Sequence, residues 1–125
     1  MSDDFFDSNV LIYLLSDDSA KADRAQALLQ TGGTISVQVL NEIANVTRRK
    51  LKMSWPEIRD FLALLRGLLA VTPLTLETHA LGLDIAERYR LSTYDAMICA
   101  AAILADCERA WSQDMQNGMR VGKGF

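Results

Sequence analysis

The chain has 125 residues, half of them hydrophobic, with 13 basic and 16 acidic side chains and a formal charge of -3. That length suits one domain with its own core, spanning residues 1–125, and the even spread of charge excludes a disordered chain. A pI near 5.0 argues against a surface that binds nucleic acid indiscriminately.

In chain order, residues 4–7 predict a short buried strand, and residues 9–15 follow with helical apolar spacing. Asp7 therefore stands at a strand-to-helix junction. A polar break at residues 16–19 leads into an Ala/Leu-rich helix over 20–30. Thr31-Gly32-Gly33 ends that helix, because glycine accepts the left-handed cap conformation. A second strand is expected at 34–36 and a long helix at 37–52.

Ser54-Trp55-Pro56-Glu57 carries a capping box, with proline early in a helix over 56–66 that stops at Gly67. Residues 68–72 predict a third strand. Thr75 caps a helix over 76–90, and Ser92-Thr93-Tyr94-Asp95 opens another that runs to about Asp106. A fourth strand at 109–112 precedes Asp114. Strands alternating with helices predict an α/β fold with a parallel sheet covered on both faces.

Cys99 and Cys107 lack the paired spacing of a zinc or redox motif and read as buried thiols. The sole histidine, His79, has no companion for a histidine–metal site or a catalytic triad, and is expected on a helix surface. No apolar run is long enough to span a bilayer. The opening Met1-Ser2-Asp3-Asp4 is acidic rather than leader-like, so a cytoplasmic location is expected.

Four acids stand out: Asp7, Glu42, Asp95 and Asp114. Each lies where a strand ends or a helix begins, the positions that converge at one edge of a layered sheet. Singly they have plain roles: Asp7 as a helix cap, Glu42 on an exposed face, Asp95 in a capping box, Asp114 in a turn. Together they would repel strongly without a divalent cation. They also account for the whole acidic excess of the chain. Ser8, Asn9, Asn41 and Ser112 beside them are short polar side chains able to orient ligating carboxylates, although capping and turn formation compete as explanations.

The segment Phe5-Phe6-Asp7-Ser8-Asn9-Val10-Leu11-Ile12-Tyr13 resembles the opening of PIN-domain ribonucleases, especially the VapC-type toxins of bacterial toxin–antitoxin pairs. Ser36-Val37-Gln38-Val39-Leu40-Asn41-Glu42, Leu91-Ser92-Thr93-Tyr94-Asp95-Ala96 and Trp111-Ser112-Gln113-Asp114-Met115-Gln116 resemble that family's second, third and fourth acidic segments. The resemblance covers essentially the entire chain. It implies a three-layer α/β/α, Rossmann-like domain with a central parallel sheet of four or five strands. It also implies endonucleolytic cleavage of single-stranded RNA, a homodimer, and a cognate antitoxin whose tail covers the acidic groove.

An all-carboxylate site suits magnesium or manganese. Asp7, Glu42 and Asp95 are assigned to the primary metal cluster, with Asp114 closing it or helping a second ion. Arg48, Arg49, Lys50 and Lys52 lie further along the helix of Glu42 and are expected to meet RNA or antitoxin, against a plain solvated-face reading. Trp55, Phe61, Leu64 and Leu65 are weighed as partner surface against core packing.

Two departures from the family pattern bear on these expectations. Gln113 replaces an acid that many relatives carry before the fourth aspartate. Relatives also usually continue past Gly118 into a final edge strand, which is expected to be missing or cut short here. The competing function is a PIN-like module without activity that binds nucleic acid or protein. A phosphoaspartate enzyme or receiver ranks last, because Asn9 stands where the phosphatase needs a second aspartate and no late lysine fits.

Overall fold

The computed structural model describes residues 4–111 and 119–120. Strand β1 (Asp4–Phe6) leads into a short helix α1 (Ser8–Ile12) that tightens into a 3-10 turn (Tyr13–Leu15). Then come α2 (Ser19–Leu29), β2 (Thr34–Ser36), α3 (Val37–Arg49), α4 (Trp55–Leu68) and β3 (Ala70–Thr72). The chain continues through α5 (Leu76–Tyr89), α6 (Thr93–Leu104), β4 (Arg109–Trp111) and β5 (Met119–Arg120). The sheet order is β3-β2-β1-β4-β5, with β1 to β4 parallel and β5 antiparallel to β4. The expected α/β/α architecture is the one found.

The strand order reverses between β1 and β4, the point beside which open α/β sheets bind ligands. Their register is Asp4 to Arg109, Phe5 to Ala110 and Phe6 to Trp111. The Asp7 N–H continues the ladder by donating to the Trp111 carbonyl at 2.9 Å. Asp7 is thereby fixed at the carboxyl end of β1, level with the end of β4.

The core explains why three-residue strands suffice. Phe5, Phe6, Ile35 and Ala110 are fully buried between the helical layers, as the strands of a two-side-covered parallel sheet must be. Helix α6 is apolar all round, with residues 96–102 buried, so it is an interior helix rather than an amphipathic one. It packs along α5 and lies against β2 and β4. Gly82 of α5 permits that approach, since a Cβ there would strike the Met97 side chain. Gly33 holds φ +153 where the chain enters β2, and a Cβ there would meet the Phe6 ring and stand 3.1 Å from the Asp4 carbonyl.

Several boundaries differ from expectation for identifiable reasons. Helix α4 passes through Gly67 to Leu68. A single helical glycine costs only about 1 kcal/mol, and fully buried Leu65 and Leu69 anchor the last turn. Helix α3 ends at Arg49, before Lys52, which has φ 56 and reverses the chain. The segment expected as one helix over 9–15 is α1 followed by the 3-10 turn. A second expectation is corrected outright: an edge strand follows β4, with Arg120 opposite Arg109 and Met119 opposite Ala110.

Candidate active site

Asp7, Glu42 and Asp95 line one cavity of about 390 Å³ at the carboxyl edge of the sheet, with Ser8, Asn9, Asn45, Val46, Tyr94 and Ile98. Three different local structures deliver the three acids. Asp7 is the N-cap of α1, in extended conformation after β1, and its Oδ1 accepts from the Ser8 N–H at 2.7 Å. Glu42 lies on α3, whose start is fixed by Ser36 accepting from the Val39 N–H. Asp95 is in the first turn of α6, held by its own N–H donating to Ser92 Oγ at 3.2 Å. Among the described residues the Asp95 carboxylate returns no bond to that cap, so its oxygens are left for the cavity.

Ser8 ties the first two acids together. Its hydroxyl donates to Glu42 Oε2 at 2.9 Å and stands 3.5 Å from Asp7 Oδ1 and 3.4 Å from Asn9 Oδ1. The other oxygen of Glu42 accepts from Gln38 Nε2 at 3.1 Å, one helical turn earlier. Asp7 is 5% exposed and Glu42 and Asp95 are partly buried. The Cys99 thiol records the field beneath them: burial first, then the charges of Asp95 and Asp7, push it up to about 12.

Donor chemistry and spacing give different answers about a metal. The site offers carboxylate, amide and hydroxyl oxygens and no thiolate or imidazole ligand, which suits a hard divalent cation. Among the described residues, however, no three Asp, Glu, His or Cys side chains stand close enough together to hold an ion as they are. The carboxylate of Glu42 is turned to Ser8 and Gln38 instead.

Of the remaining site candidates, Ser112 and Asp114 lie outside the described residues. Asn41 is exposed and does not line the cavity; Asn45, one turn further along α3, does. Asn45 and Gln38 carried no motif signal, yet both sit at helical spacing from Glu42, three on and four back. Arg48, Arg49, Lys50 and Lys52 are exposed and outside the cavity. Arg48 is engaged locally, with its guanidinium 4.9 Å over the Trp55 ring and donating to the Met53 carbonyl. Phe61 and Leu65 are core, whereas Trp55 and Leu64 are about half exposed. His79 is on the helix surface and both cysteines are buried thiols outside any disulfide, as expected.

The PIN domain family model matches residues 5–116. The chain belongs to the PIN domain family. Among solved structures, this PIN domain is similar to the Mycobacterium tuberculosis toxin VapC20, described as cleaving the sarcin–ricin loop, with TM-score 0.72 and 18% identity over 90% of this chain and 91% of that one. It is similar to a toxin–antitoxin complex from Klebsiella pneumoniae, with TM-score 0.71 and 19% identity over 90% and 88%. A third likeness is to VapBC2 of Rickettsia felis bound to a promoter DNA fragment, with TM-score 0.62 and 16% identity over 87% and 86%. No curated protein matches the sequence. At these identities the solved structures speak to the fold, which is that of VapC toxins. No helix among the described residues is long and apolar enough to cross a membrane.

Proposed function

We propose that this chain, as a single PIN domain over residues 1–125, is a magnesium- or manganese-dependent endoribonuclease acting on single-stranded RNA. In the same reading it is the cytoplasmic toxin of a toxin–antitoxin pair, working as a homodimer restrained by a cognate antitoxin. One observation carries the catalytic part: Asp7, Glu42 and Asp95, distant in sequence, line one cavity at the strand-order reversal and are linked there through Ser8.

Asp7, Glu42 and Asp95 would hold the ion, with Asp114 assigned as the fourth acid. A divalent ion bound there supplies a lowered pKa for water and offsets charge developing on the phosphate. The chain's own part is to position. The α1 N-terminus aims Asp7 into the cavity, Ser8 orients Glu42, and the Ser92 cap fixes the start of α6 and so Asp95. With no histidine at the site, the carboxylates are the groups able to take a proton from water.

The partner reading has separate support in shape. Leu14, Leu15, Leu29, Phe61, Leu64 and Leu68 line an apolar groove of about 410 Å³ on the outside of the 3-10 turn, α2 and α4. Leu64 and Leu68 at its rim are more than half exposed, and an apolar patch left open to solvent suits an interaction surface.

A second reading, an inactive PIN module, is favoured by the rest position of Glu42 and by the absence of a ready three-acid cluster among the described residues. One experiment separates the two. Cleavage of single-stranded RNA is measured with magnesium or manganese, in EDTA, and with Asp7→Asn. Activity that needs the ion and is lost in the variant supports the nuclease; no cleavage under any condition, or cleavage unchanged in EDTA, refutes it.

A further inference from the structure

A second cavity, of about 290 Å³, lies on the same edge of the sheet and is lined by Val10, Tyr13, Lys21, Arg24, Leu28 and Trp111, with Ala25. Its chemistry is the opposite of the acid cavity: among the described residues it has two cations, two aromatic rings and no carboxylate. Lys21 and Arg24 sit three apart on α2 and therefore share a face. Both are exposed, and among the described residues neither forms an ion pair. The Lys21 ammonium stands 5.3 Å over the Tyr13 ring. The indole N–H of Trp111 is buried with no acceptor among the described residues.

The two cavities are neighbours. Helix α1 and the 3-10 turn after it line both, with Ser8 and Asn9 on the acid side and Val10 and Tyr13 on the basic side. The Asp7–Trp111 backbone bond joins their walls at the ends of β1 and β4.

We infer that the Tyr13–Lys21–Arg24–Trp111 cavity is a nucleotide subsite, holding the ribonucleotide next to the one whose phosphate meets the acids; it rests on the ribonuclease reading above. Phosphate goes to Lys21 and Arg24, the donors that suit it, and the base goes against the Tyr13 and Trp111 rings. Base–aromatic stacking is sequence-tolerant and contributes substantially per base. A stacked base displaces the Lys21 ammonium from the ring toward the phosphate. An acidic peptide would use the two cations but leave the flat aromatic walls without a partner, which is why a nucleotide fits better. The arrangement also answers a problem of charge: a strand approaching three carboxylates needs compensating cations beside them, and α2 supplies them where the run after Glu42 does not.

The chain has two tryptophans, so Trp55→Phe leaves Trp111 as the only indole and a direct reporter. Its emission is titrated in EDTA with 5′-AMP, adenosine and hexaglutamate, with Arg24→Ala and Lys21→Ala as variants. Saturable quenching by 5′-AMP is expected, weaker by about tenfold in Arg24→Ala, the scale of one charge-assisted hydrogen bond, and by about a hundredfold for adenosine, which loses the contacts of both cations. No quenching by 5′-AMP, equal binding of adenosine, or a response to hexaglutamate alone overturns the subsite. RNA cleavage is scored separately on the Trp55→Phe protein. Nucleotide quenching without cleavage supports the subsite and counts only against the nuclease reading; cleavage without quenching overturns the subsite alone.

Discussion

Asp7→Asn separates a structural role for Asp7 from a functional one, because the two roles move stability in opposite directions. As an N-cap, Asp7 accepts one N–H from Ser8 at 2.7 Å, and asparagine caps about as well. The lost capping is therefore worth only a few tenths of a kcal/mol. The substitution also removes a charge that is 5% exposed and shares the Ser8 hydroxyl with Glu42. At a separation of roughly 6 Å, the most those two contacts allow, like charges in a protein edge repel by about 1–3 kcal/mol. Without metal, Asp7→Asn should be as stable as wild type or more so, with Tm raised by up to about 5–10 °C. With saturating magnesium the order should reverse, because only wild type gains binding free energy. Thermal unfolding of both proteins in EDTA and in a magnesium titration measures this. A variant less stable in EDTA by more than about 1 kcal/mol, or two proteins stabilised equally by magnesium, would refute the argument and return Asp7 to a plain cap.

Ser8→Ala should weaken the magnesium dependence of cleavage by about 10–100-fold, the usual effect of removing a group that orients a ligating carboxylate. The check is the half-activating magnesium concentration alongside an unchanged fold by circular dichroism. Gly33→Ala should destabilise by about 2–5 kcal/mol, combining a backbone at φ +153 with a Cβ driven into Phe6, as read from urea unfolding. Cys99 and Cys107 should resist Ellman's reagent in the native protein and react fully once unfolded. Cys99 binds its proton more tightly folded, with a pKa near 12 against 9.0 for the ordinary thiol. Its contribution to stability is thus intact below about pH 9 and lost as pH rises toward 12. The alkaline slope of an unfolding curve should be shallower in Cys99→Ala, and an unchanged slope would contradict the assignment.

Much of this molecule could be read from local chemistry. Asp7, Ser36, Ser54, Thr75 and Ser92 each cap a helix where a short polar residue precedes an apolar run. Those caps located the junctions, and the junctions located the acids. Contributions from tertiary context could not be read. Gly67 looked like a stop, but Leu65 and Leu69 on either side of it are buried and the helix continues to Leu68. The Arg48–Lys52 run looked like a substrate guide, yet Arg48 folds back over Trp55, a contact that depends on the turn at Lys52. Lys21 and Arg24 carried no signal in the sequence, because the aromatic wall they face is assembled from Tyr13 and from Trp111 at the far end of the chain.

The resting site poses one further physical question: how three acids share a cavity without an ion. Asp7 is stabilised by a helix N-terminus and the Ser8 N–H, and Glu42 by two neutral donors, the Ser8 hydroxyl and the Gln38 amide. The two bonds to Glu42 are charge-assisted and contribute on the order of 1.5–3 kcal/mol each, comparable to the repulsion between the acids. Ion binding then becomes an exchange rather than a simple gain: Glu42 must give up donors it already has, and the ion must outbid them. Such an exchange keeps the site folded when empty and weakens its hold on metal. It predicts that Gln38→Leu, which removes one competing donor but leaves Ser8 to orient Glu42, binds manganese more tightly than wild type, by about ten- to a hundredfold for a bond of about 1.5–3 kcal/mol. Calorimetry of manganese binding without RNA gives the answer, and weaker binding in Gln38→Leu would show that the amide positions Glu42 for the ion instead of competing with it.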